Sequence, residues 1–584
     1  MKSRSRLKRV LTGIFIAFSV LVSTFSTILP SKGASFFDLI PGGPFTPGYY
    51  GVTFEERQPG LGELVSIITS NTLRTSPNEV PNAYLCSSMG DPECSKGSLI
   101  NAQLVLPPCA TPEQRMCIEG LTLASGTGAM EKATLDHEID GPRTPADPTT
   151  GLPAGGGLSL WNAPSVLNKA GLKTYGVSVR VTYFQNREGT GSAAKRDNPV
   201  SLRSMRVSVF PVQVISGKYY TQEGYTTKNS DGGSTYGVRQ KSNDYDNLAD
   251  CAWTENGSCG KYVDFVDDTR VGLTLRMGSE MTGWLYGRLK DVKVEVAALD
   301  NKFNRITIEG APVVAPGAYG IIKKSELKNN PKIDARIRLG SNDFGYNEMI
   351  NSPYSSGGGY DPVGNFDDFA AFEPILKSMP NARAQWLIAS GASANGYQPQ
   401  VTEKCFQDKT KLLGIVTTNA LIYENGAPAF KDGTLNYRVA GLHHQADGVT
   451  LTRGTYDLAI RTEIARCVYG FSNAPIQASI SVIGSDGQEQ SIATESVRED
   501  AKREWLFLSA QNFTFSSPVI KVKLTQEKTL TPAKPTNGSA STANTTAAPA
   551  AKKASTKSIS CVKGKLVRKI SGTNPKCPAG FKKR

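Results

Sequence analysis

The spacing of the cysteines constrains this chain of 584 residues more than any other feature of its sequence. All ten cysteines form sequence-neighbour pairs, three of them with the same separation: Cys86/Cys94, Cys109/Cys117, Cys251/Cys259, Cys405/Cys467 and Cys561/Cys577. An even number of locally paired cysteines is typical of disulfides in an exported protein. We therefore predict five bridges, each between neighbours. Zinc is the rival interpretation, but zinc sites favour C-x-x-C pairs or histidine partners, and the chain has only three histidines.

The first 34 residues predict a secretory signal peptide. Five bases between positions 2 and 9 precede an apolar run over 10–29, and small residues follow around Ala34. An uncleaved anchor is the alternative, because the run is just long enough to cross a bilayer, although its serines and threonines make it weakly hydrophobic. Both interpretations place the bulk of the chain outside the cytoplasm, so we expect an extracellular or cell-surface protein. Membrane contact is expected only through this segment if it stays uncleaved.

The formal net charge of +14 comes from the two ends of the chain. Residues 1–34 carry six bases and residues 528–584 carry thirteen, with no acid in either stretch. The body between them has 47 bases and 52 acids and is mildly acidic. A nucleic-acid-binding protein needs a basic stripe on a folded face, so this distribution argues against nucleic acid as a partner.

Short alternating runs predict a mainly β chain. Residues 175–183, 271–277 and 456–460 alternate with a period of two, which is typical of strands in antiparallel sheets. Pro211 predicts an edge position or a bulge in the strand over 202–215. One helix is predicted over 367–379, where Pro374 could shorten it to a turn or two.

The same patterns predict several antiparallel β-sandwich-like units with few short helices. Residues 399–527 contain about seven short strands and one widely spaced cysteine pair, which favours a sandwich pinned between its sheets. The predicted segments are a signal peptide at 1–34, a cysteine-containing β-rich domain at 35–217, a β-rich domain with one short helix at 218–398, the disulfide-pinned sandwich at 399–527, a disordered Thr/Ala/Pro linker at 528–557 and a small basic disulfide-stapled hairpin module at 558–584.

The C-terminal tail carries a resemblance to other proteins. It reads CVKGK from Cys561 and PKCPAGFKK from Pro575, and it resembles a C-terminal element of exported actinobacterial proteins of unknown function. The segments LTRGTYDLAIR from Leu451 and FTFSSPVIKVK from Phe513 are similar to the sandwich region of the same group. The resemblance covers about the last third of the chain. It implies export and architecture and brings no catalytic residues with it.

No nucleotide-binding, nucleophile-elbow or zinc-protease motif is present, so the chain lacks the signatures of several enzyme classes. His137, between acids, could serve in acid-base or metal chemistry or could simply be solvated, and the adjacent His443 and His444 should point to opposite faces of a strand. Acids in turns could bind Ca²⁺ but match no calcium motif: Asp244/Asp246, Asp264/Asp267/Asp268, Asp361 and Asp367/Asp368. Catalytic residues stay unknown, and no cofactor is predicted.

Tyrosines offer a binding alternative. They could stack on sugars, or they could pack at strand ends with their hydroxyl groups exposed to solvent: Tyr49/Tyr50, Tyr219/Tyr220/Tyr225 and Tyr346/Tyr354/Tyr360. The basic tail could be attracted to anionic cell-envelope polymers or could act as a solubilising extension. We therefore predict a secreted or cell-surface structural or binding protein with no identifiable catalytic motif, and we favour binding over catalysis. The alternative is a secreted carbohydrate-active hydrolase with paired carboxylates, whose separation a sequence does not reveal.

Overall fold

Strands dominate the computed structural model of the chain, as the alternating runs predict. It describes residues 49–56, 58–72, 82–92, 97–186, 199–228, 233–242, 244, 248, 251–341, 349–352, 362–380, 382–390, 404–408, 410–472, 476–483, 489–490, 494–515, 519–526, 557–563, 566–572 and 582–583. The predicted signal peptide and residues 528–556 of the predicted linker lie outside this part. The chain divides into two compact units, Met1–Glu527 and Lys528–Arg584, and the division falls where the composition changes.

The described strands are short, except for a few long ones that link neighbouring sheets. In the first part of the chain, before Cys251, they are β1 (Tyr49–Phe54), β2 (Ile67–Asn71), β3 (Ala83–Cys86), β4 (Leu99–Val105), β5 (Cys117–Ser125), β6 (Glu131–Lys132), β7 (Thr134–Glu138), β8 (Ser159–Asn162), β9 (Thr174–Asn186), β10 (Ser201–Ser216), β11 (Gln222–Lys228) and β12 (Ser234–Gln240). The middle of the chain adds β13 (Cys251–Glu255), β14 (Ser258–Tyr262), β15 (Thr269–Met277), β16 (Gly283–Ala298), β17 (Asn304–Val314), β18 (Ala318–Lys323), β19 (Met349–Ser352), β20 (Leu376–Ser378) and β21 (Ala384–Ser390).

The last third of the chain continues the same pattern. Its strands are β22 (Leu412–Thr418), β23 (Ile422–Tyr423), β24 (Ala429–Lys431), β25 (Thr434–Ala440), β26 (Arg453–Arg461), β27 (Ile476–Ile483), β28 (Glu489–Gln490), β29 (Thr494–Glu499), β30 (Trp505–Thr514), β31 (Val519–Gln526), β32 (Lys557–Lys563), β33 (Leu566–Gly572) and β34 (Lys582–Lys583). The α-helices of the described residues are α1 (Pro331–Ser341), α2 (Pro362–Phe372) and α3 (Thr462–Tyr469).

A first sandwich encloses the largest apolar core. One layer runs β3-β2-β4-β9-β10-β21-β16, and the other runs β6-β5-β15-β17. Trp386 and Ile388 of the first layer lie in one buried cluster with Leu273 and Ile308 of the second. The alternating apolar residues of each strand supply this core, as their period predicts.

A second sandwich shares β16 with the first. Residues 283–287 of β16 pair with β22 in parallel, and the layer continues through β26, β30 and β29. It faces a sheet of order β23-β25-β31-β27-β28, with β24 paired to β25. Tyr437, Val522 and Leu458 are among the buried residues between the layers. Sheet pairing therefore runs across the predicted boundaries at 217/218 and 398/399.

A smaller layer covers one end of these sheets. It has the order β19-β1-β18-β20, and α1 and α2 accompany it. Phe54 packs edge-on against Phe369 and Phe372 of α2 in a buried cluster with Ile333 of α1. The described part of residues 218–398 therefore holds two α-helices and not the single one predicted. The predicted helix begins earlier, at Pro362, and ends at Phe372, because Pro374 turns the chain into a 3-10 segment that leads to β20.

Two further expectations need correction. Strand β10 passes Pro211 without a break, and its bulge lies at 202–204. Pro211 is the last residue of β10 that pairs with β9, and the pairing of β10 with β14 begins at Val212. Because proline has no backbone N–H to donate, it is tolerated at this point, where β10 changes its partner strand. Residues 399–527 form more strands than the predicted seven and also hold α3. The Cys405–Cys467 bridge joins α3 to the 3-10 turn Lys404–Phe406, so it does not connect the two sheets.

Three of the five predicted disulfides are present in the described residues, and they are Cys109–Cys117, Cys251–Cys259 and Cys405–Cys467. Cys86 is also disulfide-bonded, but its predicted partner Cys94 lies outside the described residues. The pairing of Cys86 with Cys94 therefore stays a prediction.

The fifth predicted bridge, Cys561–Cys577, also stays a prediction. Cys561 lies in β32, which pairs with β33 in the predicted hairpin and also with β34. Cys577 falls between β33 and β34, outside the described residues, so the structure describes only one of the two cysteines. The predicted hairpin is thus confirmed, and its disulfide staple is not tested.

In the part of the chain described here, no helix is long and apolar enough to cross a membrane.

Candidate functional site

The three histidines lie at the surface. His137 on β7 is hydrogen-bonded through Nδ1 to Asp136 (2.7 Å) and through Nε2 to Glu255 (3.2 Å). Burial lowers the pKa of His137, but its hydrogen bonds to the two carboxylates outweigh burial and raise the pKa above the usual value. His443 and His444 lie in a loop and not on a strand, and their ring centroids are 4.8 Å apart, so the expectation that they point apart is wrong.

Four of the eight predicted calcium acids contact a cationic side chain. Arg336 contacts both Asp367 (3.4 Å) and Asp368 (3.0 Å), and Lys169 contacts Asp267 (3.2 Å). Asp244 lies 3.7 Å from Lys218, Asp264 and Asp268 are in the loop after β14, and Asp246 and Asp361 are outside the described residues. Among the residues that the structure describes, no group of three or more His, Cys, Asp or Glu could hold a metal ion.

The predicted tyrosine surface is only partly described. The Tyr50 ring lies 5.0 Å from Lys324 Nζ, and Arg239 lies 4.6 Å above Tyr225. Tyr219 is buried with the Cys251–Cys259 bridge, while Tyr346, Tyr354 and Tyr360 lie outside the described residues. A buried or cation-covered ring offers little face to a sugar, so Tyr50, Tyr219 and Tyr225 are poorly placed to stack on one.

Loops at one end of the first sandwich surround a polar cavity. Its volume is about 390 Å³, within the range usual for small-molecule sites. The polar side chains that line it are Tyr183, Glu280, Thr282, Asn301, Lys302 and Thr410, and the apolar ones include Met116, Pro153 and Phe303. Because they come from widely separated loops on a sheet scaffold, the cavity has the usual location of a binding site. We call it the Tyr183 cavity.

A buried hydrogen bond forms the floor of the Tyr183 cavity. Tyr183, near the end of β9, donates through its hydroxyl to Glu280 Oε1 at 2.6 Å, and both side chains are buried. Burial and the negative charge of Glu280 raise the pKa of Tyr183 far above its usual value, so the hydroxyl stays protonated and donates. This bond fixes the Glu280 carboxylate, which lines the cavity.

The walls of the Tyr183 cavity are held in place. Met116 has a left-handed backbone (φ 56°) next to the Cys109–Cys117 bridge. Arg115 Nε contacts Asp300 at 3.0 Å, and Asp300 also accepts the backbone N–H groups of Lys302 (2.9 Å) and Phe303 (2.8 Å). These bonds, the one from the Lys302 N–H foremost, lower the pKa of Asp300. The disulfide loop is thus tied to the turn between β16 and β17, which makes the cavity largely preformed.

Asp457 and Asp291 line a second, smaller cavity. Asp457 on β26 is buried and accepts the backbone N–H of Asp291 at 3.3 Å. Burial first, and then the charge of Asp291, raise the pKa of Asp457 to about 7. The adjoining cavity is only about 180 Å³, which is small for a polysaccharide-cleaving cleft.

Comparison with protein-family models, with curated proteins and with solved structures finds no match for the chain. The function therefore has to be argued from these side chains themselves.

Sequence reasoning missed both cavities for different reasons. The alternation at 175–183 includes Tyr183 only as one position of a predicted strand, and no motif connects it to Glu280, 97 residues further on. Asp457 lies within the alternating run 456–460, which predicts a strand with one polar face, but β26 is buried on both faces, with Leu458 in one core and Ala459 in the other. A carboxyl group in such a strand is the signal that could have drawn attention to it.

Proposed function

We propose that this chain is an exported or cell-surface binding protein whose Tyr183 cavity takes a hydroxyl-rich ligand about the size of one or two sugar units. The observation that carries the proposal is the preformed polar cavity with the buried Glu280 carboxylate fixed by Tyr183. Sugar hydroxyls both donate and accept hydrogen bonds, and the lining supplies a carboxylate acceptor, an amide at Asn301 and an ammonium at Lys302. Phe303 adds an apolar surface for a sugar ring.

Export is supported by independent features. Disulfides form and persist in oxidising compartments, and three are present in the described residues. The first 34 residues have the layout of a signal peptide, and the tail resembles that of exported actinobacterial proteins. A cleaved signal would leave a mature protein outside the cell.

The basic tail adds a second contact in this proposal. Its thirteen bases without an acid favour anionic polymers of the cell envelope, and each base near a charged surface contributes about 1 kcal/mol. Cell-wall retention of the full chain should fall as salt is raised, and a chain ending at Glu527 should be retained less at low salt. Equal retention of both chains would leave the tail as a solubilising extension.

Binding and turnover together test the cavity. We expect a glycan array to identify a ligand and calorimetry to give its affinity. Glu280→Gln should weaken binding about tenfold or more, because a hydrogen bond to a charged group is lost. Tyr183→Phe should weaken it about fivefold by releasing Glu280. Tyr175→Phe is the matched control, since Tyr175 is on the same strand and donates to Val166 O instead.

The hydrolase alternative predicts a different outcome. Release of reducing sugar from a polysaccharide, lost in Asp457→Asn and kept in Glu280→Gln, would replace the binding proposal with an enzyme that uses the paired carboxylates. Binding without turnover, sensitive to Glu280 and not to Asp457, supports the binding protein.

A further inference from the structure

The second, smaller cavity lies at a bulge in β16. Pairing with β17 shifts register between Lys290 and Lys293, and Asp291 inside the bulge has a left-handed backbone (φ 57°). The bulge points the N–H of Asp291 at Asp457 Oδ1, at 3.3 Å. Bulges re-aim side chains and are frequent beside functional sites. Asp291 and Asp457 line the same cavity of about 180 Å³.

Neighbouring strands supply a polar floor. Asp457 is paired with Ser509 of β30, and Ser509 is paired with Ser496 of β29, so the three residues form one row across the sheet. Side chains in such a row point to the same face. Gln511 Nε2 donates to Asp457 Oδ2 (3.4 Å) and to Ser509 Oγ (2.7 Å), which holds the carboxyl group in place.

The same face of this sheet also supplies a cation. In the next row, the guanidinium of Arg498 lies 4.0 Å from the centroid of the Phe507 ring, and Nη2 donates to Val292 O at 3.3 Å. A guanidinium has five N–H donors, so Arg498 can bind a ligand carboxylate while it keeps this bond. Lys293 also lines the cavity, but its ammonium contacts Glu309 at 2.6 Å. The cavity is thus lined by the carboxyl groups of Asp291 and Asp457 and by the guanidinium of Arg498.

We infer that this cavity binds a compact zwitterion of the α-amino acid type, with its ammonium against Asp457 and Asp291 and its carboxylate at Arg498. The volume of about 180 Å³ equals that of about six waters, which suits a molecule of the size of alanine. This site is separate from the Tyr183 cavity, so the inference does not depend on the sugar-binding proposal.

The charges around Asp457 give the inference a second readout. Asp291 and Lys293 face it from β16 and Arg498 from β29, while Ser509 and Gln511 of β30 are neutral. A ligand ammonium favours the ionised carboxylate, so binding should release the proton that Asp457 holds near neutral pH. The affinity should therefore rise with pH between about 6 and 8, by less than tenfold per unit.

The test is calorimetry of the full chain with alanine, ethylamine and propionate at pH 6, 7 and 8, repeated in buffers of different ionisation enthalpy. We expect alanine to bind at least about tenfold more tightly than either singly charged compound, with proton release at pH 7. Asp457→Asn and Arg498→Gln should each weaken alanine about tenfold or more. Arg453→Gln, an exposed arginine on β26, is the matched control.

Three results would overturn the inference: no binding of alanine at millimolar concentration, ethylamine binding as tightly as alanine, or unchanged alanine affinity in Arg498→Gln. Asp457→Asn removes a buried carboxyl group and should fold, so its circular dichroism and melting curve will show whether a loss of binding is local. If Asp457→Asn loses alanine binding but keeps sugar binding, the two sites are separate.

Discussion

Arg288 tests whether the two sandwiches are one structural unit. It lies on β16, which both sandwiches share, and it is fully buried. Its Nε donates to Glu56 Oε2 at 2.7 Å, and its Nη1 donates to the carbonyls of Thr418 (3.2 Å) and Ala420. Its guanidinium lies 4.5 Å from the centroid of the Tyr423 ring. Glu56 is also buried, with 4% of its side chain exposed. Removing Arg288 would therefore leave a buried charge and two carbonyls without their donor.

Arg288→Met should cost about 3 kcal/mol in the free energy of unfolding. Breaking a buried pair costs roughly 3–5 kcal/mol, and Arg206, 3.7 Å from Glu56, should compensate a part of it. Urea denaturation followed by tryptophan fluorescence measures the loss. Arg180→Met is the control, because the Arg180–Glu63 pair has the same chemistry at 2.8 Å but is solvent-accessible and should lose less than about 1 kcal/mol. Equal losses in both variants, or a loss below about 1 kcal/mol in Arg288→Met, would refute the reasoning.

Three further perturbations have defined outcomes. Replacing Cys109 and Cys117 by serine should cost about 2.5 kcal/mol by urea denaturation and weaken sugar binding, because the loop that carries Met116 loses its closure. Gly414→Ala should cost about 2 kcal/mol, since a Cβ there would meet the Trp284 ring at 2.3 Å; an unchanged melting temperature would contradict this. The folded-state pKa of Asp457 is raised, so its protonated form stabilises the fold at low pH and this contribution is lost as the pH rises from about 4 to about 7. Asp457→Asn should therefore raise the melting temperature at pH 8 but not at pH 4, and a uniform shift at both values would be inconsistent with that.

Much of the architecture could be predicted because it depends on local pattern. The alternation at 175–183, 271–277 and 456–460 corresponds to β9, β15 and β26, and the cysteine spacing predicts the three described bridges. Alternation does not reveal which strands become neighbours. The pairing of β16 with β22, which joins residues on either side of a predicted domain boundary, has no local sequence signal.

The candidate sites could not be predicted for the same reason. Tyr183 and Glu280 meet because β9 and the 3-10 turn after β15 end at the same edge of the first sandwich, which is a property of the topology. Asp457 is buried because a second layer covers the face that a simple alternating strand would leave in water. Side chains that depend on long-range packing carry no periodic signal.

The most direct test of the binding proposal is a crystal structure of the full chain soaked in the glycan that binds best on the array. The account predicts sugar density in the Tyr183 cavity, with a hydroxyl within hydrogen-bonding distance of the Glu280 carboxylate and a ring face beside Phe303. Density for the same sugar elsewhere on the protein, with only water in the Tyr183 cavity, would contradict it.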